Sequence, residues 1–154
     1  MFRIRPLPRD LFAPLFALDD AELAARGGVR RVADANPGFP CRVSLADAEP
    51  GEEVILVHFE HQPAATPFRA GHAIYVRPGA DEAAPGVGEV PEALRGRPLS
   101  LRAFDDGGWL LDAEVAEGAA MEAAVARLLS DPKVACLHAH FAGPGCYAAR
   151  IDRA

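Results

Sequence analysis

Short apolar runs, each closed by a turn signal, recur along most of this chain and narrow its fold more than any other feature. Val54-Ile55-Leu56-Val57-His58-Phe59 follows the tight turn Pro50-Gly51. A loop holding His61, Pro63 and Pro67 then leads to His72-Ala73-Ile74-Tyr75-Val76, whose β-branched and aromatic content suits a strand. These two runs are expected to pair antiparallel. Leu99-Ser100-Leu101 and Trp109-Leu110-Leu111 flank Asp105-Asp106-Gly107-Gly108, a hairpin signal. Val134 to Phe141 turns at Gly143-Pro144-Gly145 into Cys146 to Ile151. Phe2 to Arg5 runs into Pro6 and reads as an edge strand, and Val29 to Ala33 reads as another strand. Strands joined mainly as hairpins imply an antiparallel sheet, because parallel neighbours need long crossovers.

Helical signals are fewer. Asp19 and Glu22 form a capping box, with Leu18 and Leu23 as a hydrophobic staple and Gly27 as the stop. Between Ala119 and Leu129, Met121, Ala124, Val125, Leu128 and Leu129 form one apolar stripe at helical spacing. Residues 78 to 98 are rich in proline and glycine and read as a long surface loop holding one short helix at Pro91 to Arg95. At 154 residues the chain has the size of one domain. The expected fold class is therefore α+β: a single domain over 1–154, mainly antiparallel sheet built of hairpins, with two or three helices packed on it.

The net charge of −6 opposes binding to phosphate backbones and anionic lipid, so neither nucleic acid nor membrane is an expected partner. Leu11 to Leu18 is apolar, but Asp10, Pro14, Asp19 and Asp20 spoil it as a signal peptide or span. A cytoplasmic location is the expectation, with Cys41, Cys136 and Cys146 as thiols.

Chemistry concentrates in the C-terminal hairpin. Alternation puts Cys136, His138 and His140 on one face of their strand and Leu137, Ala139 and Phe141 on the other. With a three-residue loop at Gly143-Pro144-Gly145, His140 opposes Ala148 and His138 opposes Arg150. Leu137, Phe141, Tyr147 and Ile151 then face the core, and the other face carries histidine, cysteine and arginine. Such a face supports three kinds of chemistry. His138, His140 and Cys146 can ligate a metal, with zinc as the fitting ion and His72 as a further ligand. Cys41 or Cys146 can act as a thiolate nucleophile beside an arginine, with a histidine such as His138 as base. His72, His138, His140 and Arg150 can hold an anionic small molecule without any reaction. His58 and His61 fall on opposite faces of their strand and are not expected to act together. The acids Asp47, Glu49, Glu52 and Glu53 lack the oxygen spacing of a calcium loop. No dinucleotide, Walker or serine-hydrolase motif is present. The alternative to a small-molecule or metal site is an interaction protein or homodimer whose polar face holds no ligand.

The pattern Pro40-Cys41-Arg42-Val43-Ser44-Leu45-x-Asp47-Ala48-x-x-Gly51-Glu52, then His72-Ala73-Ile74-Tyr75-Val76, His138-Ala139-His140 and Gly145-Cys146-Tyr147-Ala148-Ala149-Arg150 resembles domain-of-unknown-function family 1203, small bacterial proteins. The resemblance runs over nearly the whole chain. It implies one full-length domain and carries no assigned activity.

Overall fold

The turn signals separate eight strands: β1 (Phe2–Arg5), β2 (Val29–Val32), β3 (Glu53–Gln62), β4 (Ala70–Val76), β5 (Pro98–Phe104), β6 (Leu110–Glu117), β7 (Cys136–Phe141) and β8 (Tyr147–Arg153). They are described by a computed structural model covering residues 1–154. Every pairing between these strands is antiparallel, as the hairpins required. The strands nevertheless form two sheets: a five-stranded sheet in the order β1-β8-β7-β5-β6, and a three-stranded sheet in the order β2-β3-β4.

The helices are short: α1 (Ala13–Phe16), α2 (Asp20–Ala25), α3 (Glu92–Arg95) and α4 (Met121–Leu128). The capping box of α2 forms, with the Asp19 carboxylate accepting from the Glu22 backbone and the Glu22 carboxylate accepting from Asp19 N–H. The stripe on α4 packs Met121, Ala124, Val125 and Leu128 onto Leu99, Leu101, Leu137, Ala139 and Ile151 of the five-stranded sheet. Entry into α4 needs Gly118, where a Cβ would stand 2.0 Å from the Leu94 carbonyl oxygen. A second core seats Leu7, Phe12 and Leu23 against Ile55, Val57, Ile74 and Val76 of the three-stranded sheet. No helix is long and apolar enough to cross a membrane.

Three features differ from the sequence expectations. Residues 78 to 98 are more than a surface loop: Ala83 N–H donates to the Val43 carbonyl, Gly88 N–H donates to the Phe2 carbonyl, and Val90, Ala93 and Leu94 are buried. Their apolar side chains close one side of the main core, and composition alone conceals that. The polar face of β7 is not a solvated face, because all six of its residues are buried. Third, the register of the last hairpin slips. His138 opposes Arg150 as expected, but His140 opposes Tyr147 rather than Ala148, with the shift between Ala139 and His140. Ala148 is the extra residue of this bulge, small enough to be tolerated beside Ala149 in the core under α4. The slip sends the Tyr147 ring to the side of the second sheet, away from the aliphatic core expected for it.

Candidate functional site

Between the two sheets lies a layer of imidazoles. Strand alternation on β7 aims His138 and His140 away from α4. On β3, Phe59 and His61 fall on the side facing the five-stranded sheet and His58 stays exposed, so His58 and His61 do not share a site. His72 comes from β4, opposite Phe59. The His61 ring stacks on His72 at 4.8 Å and on Tyr147 at 4.9 Å between centroids. The displaced Tyr147 thus fixes the plane of His61.

The nitrogen geometry is specific. His61 Nε2 lies 2.7 Å from His72 Nδ1, a hydrogen bond, while His61 Nδ1 and His138 Nδ1 stand 3.4 Å apart. His140 Nδ1 lies 2.9 Å from the Gly145 carbonyl oxygen. A carbonyl only accepts, so Nδ1 carries the hydrogen and Nε2 carries the lone pair. That Nε2 is buried and has no hydrogen-bond partner. One ligand atom each from His61, His138 and His140 can be chosen so that all lie within 4.8 Å of one another.

Electrostatics keep this group neutral. Burial, with the neighbouring His140, His138 and His72, pushes the pKa of His61 down to about 3. Burial first, then Arg150 and Arg102, lowers His138 to about 4. Burial outweighs the Gly145 hydrogen bond and lowers His140 to about 3. His72 is lowered by burial and by Arg102. Neutral imidazoles present lone pairs, the form a metal takes.

The other expected site residues are spread around this layer. Arg150 stands across from His138, but its guanidinium is paired with Asp152 at 2.7 Å. Cys146 is not part of the imidazole group: its Sγ accepts a hydrogen bond from Arg42 Nη2 at 3.1 Å. Cys41 is buried, and its Sγ accepts from Arg77 N–H at 3.3 Å. All three cysteines are free thiols. The cation beside Cys146 is therefore Arg42, which arrives from a loop distant in sequence, and not Arg150.

Sequence reasoning missed His61, Arg42, Arg102 and Tyr147. Arg102 opposes His138 on β5, is part-buried and pairs with no acid. No local pattern marks His61, whose role depends on one sheet packing on another. Two cavities flank the layer. One, of about 380 Å³, is lined by His61 and His138 together with Arg150, Cys136, Asp105 and Asp106. The other, of about 600 Å³, begins at His72 and includes Arg42, Arg97, Tyr75, Phe141 and Cys146.

Three convergent imidazoles with no acid among them suit a divalent transition ion and not calcium or magnesium, which take oxygen ligands. A three-histidine set also leaves one position of a tetrahedral ion free. No curated protein and no solved structure matches the chain. A family model, described as a protein of unknown function (DUF1203), matches residues 38–153, which include every histidine of the layer.

Proposed function

The chain belongs to the DUF1203 family of proteins of unknown function, and from that premise we propose that it binds a divalent transition metal ion, zinc by ligand preference, through His61, His138 and His140. The observation that carries this reading is the bare Nε2 of His140, a buried acceptor without a donor. Such an atom costs about 1–3 kcal/mol if left unsatisfied. A metal ion would satisfy it.

One distance and two hydrogen bonds support the reading further. Ligand atoms held about 2.0–2.1 Å from a tetrahedral zinc stand about 3.3–3.4 Å from each other. The two Nδ1 atoms of His61 and His138 are already separated by 3.4 Å, long for a hydrogen bond and right for a shared ion. The remaining nitrogens of two of the three ligands are also engaged as a metal site requires, with His61 held by His72 and His140 by the Gly145 carbonyl. The ion would sit among neutral ligands with Arg102 and Arg150 nearby, so its open position favours an anion or a water that becomes hydroxide.

The test is metal content. Untagged protein is stripped with chelator, titrated with cobalt and zinc, and assayed by visible absorption and elemental analysis. One ion per chain is expected, with tetrahedral cobalt absorption. Loss of an orienting partner alone lowers metal affinity about 10–100-fold, so His140→Ala should weaken binding by more than about 100-fold while its circular dichroism stays unchanged. A stripped protein that takes up neither ion, or a His140→Ala variant that binds as well, would refute the site.

A second reading, self-association without a ligand, draws on the edge strand β6 and its exposed Leu111 and Val115. Asp112, Glu114 and Glu117 on the same strand oppose edge-to-edge pairing with a second copy, which leaves the metal reading better supported.

A further inference from the structure

We infer that the cavity of about 600 Å³ beside His72 is a binding site for a small organic carboxylic acid, anchored by the Arg42 guanidinium. Arg42 is the most deeply buried charged side chain of the protein, 2% exposed. Its Nε donates to the Tyr147 carbonyl, Nη1 to the Pro40 carbonyl and Nη2 to Cys146 Sγ. None of these partners carries a carboxylate. By contrast Arg30, Arg77, Arg95 and Arg97, all more exposed, each pair with an acid. Acids are not scarce either, since the chain has 22 against 16 basic residues. A buried cation without a carboxylate partner is costly: burial disfavours the charged form of Arg42, and the Cys146 and Cys41 sulfurs offset only part of this. The missing anion is therefore expected from outside, and the cavity is where it would enter.

The walls specify what kind of anion. Arg97 also faces the cavity, but Asp47 holds it through both carboxylate oxygens at 2.6 and 2.8 Å, so its charge is spent. One cation remains, which matches a monoanion better than a phosphate dianion. A guanidinium carries five N–H donors and three of Arg42's contacts are taken, which leaves donors for a carboxylate. The rest of the lining is largely apolar, with Pro37, Pro40, Leu56, Tyr75 and Phe141, and suits a hydrocarbon or aromatic body more than a strongly hydrated phosphate. The volume lies within the range of about 300–1,000 Å³ typical of small-molecule sites. The loop carrying Arg42 is held rigidly: Cys41 N–H donates to the Ala46 carbonyl, Leu45 N–H donates to the Cys41 carbonyl, and Leu45 is a buried non-glycine residue at φ 52°. Left-handed strain of this sort persists only where surrounding contacts enforce it, and ligand clamps are one such place.

Cys146 lines the same cavity and is the one cysteine that is not buried, so it reports on occupancy. Two measurements on the intact protein test the site, neither of which needs a metal. Benzoate, benzyl alcohol and inorganic phosphate are titrated by calorimetry. A charge-assisted hydrogen bond is worth about 1.5–3 kcal/mol, so benzoate should bind at least about tenfold tighter than the neutral alcohol. Phosphate should bind more weakly than benzoate. Separately, Cys146 is alkylated with iodoacetate and with iodoacetamide, the thiolate displacing iodide in both. The ratio of the two rates should exceed that of free cysteine by about tenfold, the same energetic margin, and benzoate should protect. The His140→Ala variant should retain both behaviours, which separates this site from the imidazole layer. Equal binding of benzoate and benzyl alcohol, tighter binding of phosphate, or a free-cysteine rate ratio would each overturn the inference. Arg42→Met should abolish the preference for benzoate, but the wild-type rate ratio decides even if that variant fails to fold.

Discussion

The five-stranded sheet is covered on both faces, and the two coverings follow opposite rules. Under α4 the contacts are aliphatic: Leu137, Ala139 and Ile151 against Met121, Val125 and Leu128. Under the three-stranded sheet the contacts are imidazoles and a phenol, in which His61 Nε2, His72 Nδ1 and His140 Nδ1 have hydrogen-bond partners and the buried His140 Nε2 has none. The same six residues of β7 feed both layers by alternation. The first layer is non-directional and stabilises through area removed from water, whereas the second is directional and stabilises little unless its polar atoms are satisfied. One layer builds the fold, and the other is built by it.

Acidification should break this contrast most severely. His61, His138 and His140 have pKa values lowered to about 3, 4 and 3, against an ordinary 6.5. Above pH 6.5 the folded and unfolded chains carry the same charge on these groups. Below it the unfolded chain takes protons that the folded chain refuses, so stability falls progressively towards pH 3 to 4. Arg102 and Arg150 add to the refusal, and Asp152 opposes it weakly at His138. The urea midpoint of the metal-free protein should therefore drop between pH 7.5 and 5, buffers chosen to span about one unit above and below the usual histidine range. An unchanged midpoint would mean that water reaches the imidazole layer and these histidines titrate alike in the folded and unfolded chains. Next in size is Leu137→Ala in the aliphatic layer, fully buried, which should cost about 2–5 kcal/mol in urea unfolding. Zinc uptake by the folded fraction should persist, and its loss would show the layers to be coupled. The smallest effect belongs to Gly145→Ala. Gly145 has φ 77° with open space at the Cβ position, so only backbone strain of about 1 kcal/mol is incurred. Because the Gly145 carbonyl orients His140, metal affinity should fall with it, and a stability loss without an affinity loss would remove that carbonyl from the site.

The aliphatic layer was legible in the sequence and the imidazole layer only partly so. Period-two and period-3.6 patterns report which residues leave water, so the stripe on α4 and the apolar side of β7 could be read directly. The same alternation placed His138 and His140 together and Arg150 across from His138. It could not supply His61, since nothing local tells one sheet which other sheet will lie over it. Nor could it locate Tyr147, because a bulge obeys the fit of Ala148 into the core rather than any periodicity. Strand alternation groups Cys146 with the histidines, while its actual partner, Arg42, comes from a loop 104 residues away in sequence.

The bulge at Ala139/His140 also makes loop length a selector of side chain. With one residue fewer between Phe141 and Ala148, the ladder would close in register and set a methyl group where the phenol now backs His61. The chamber between the sheets would widen by most of an aromatic ring, and His61 would lose the surface that holds it flat. A single deletion in an exposed turn, invisible to any comparison of the histidines themselves, would thus change what the interior can hold.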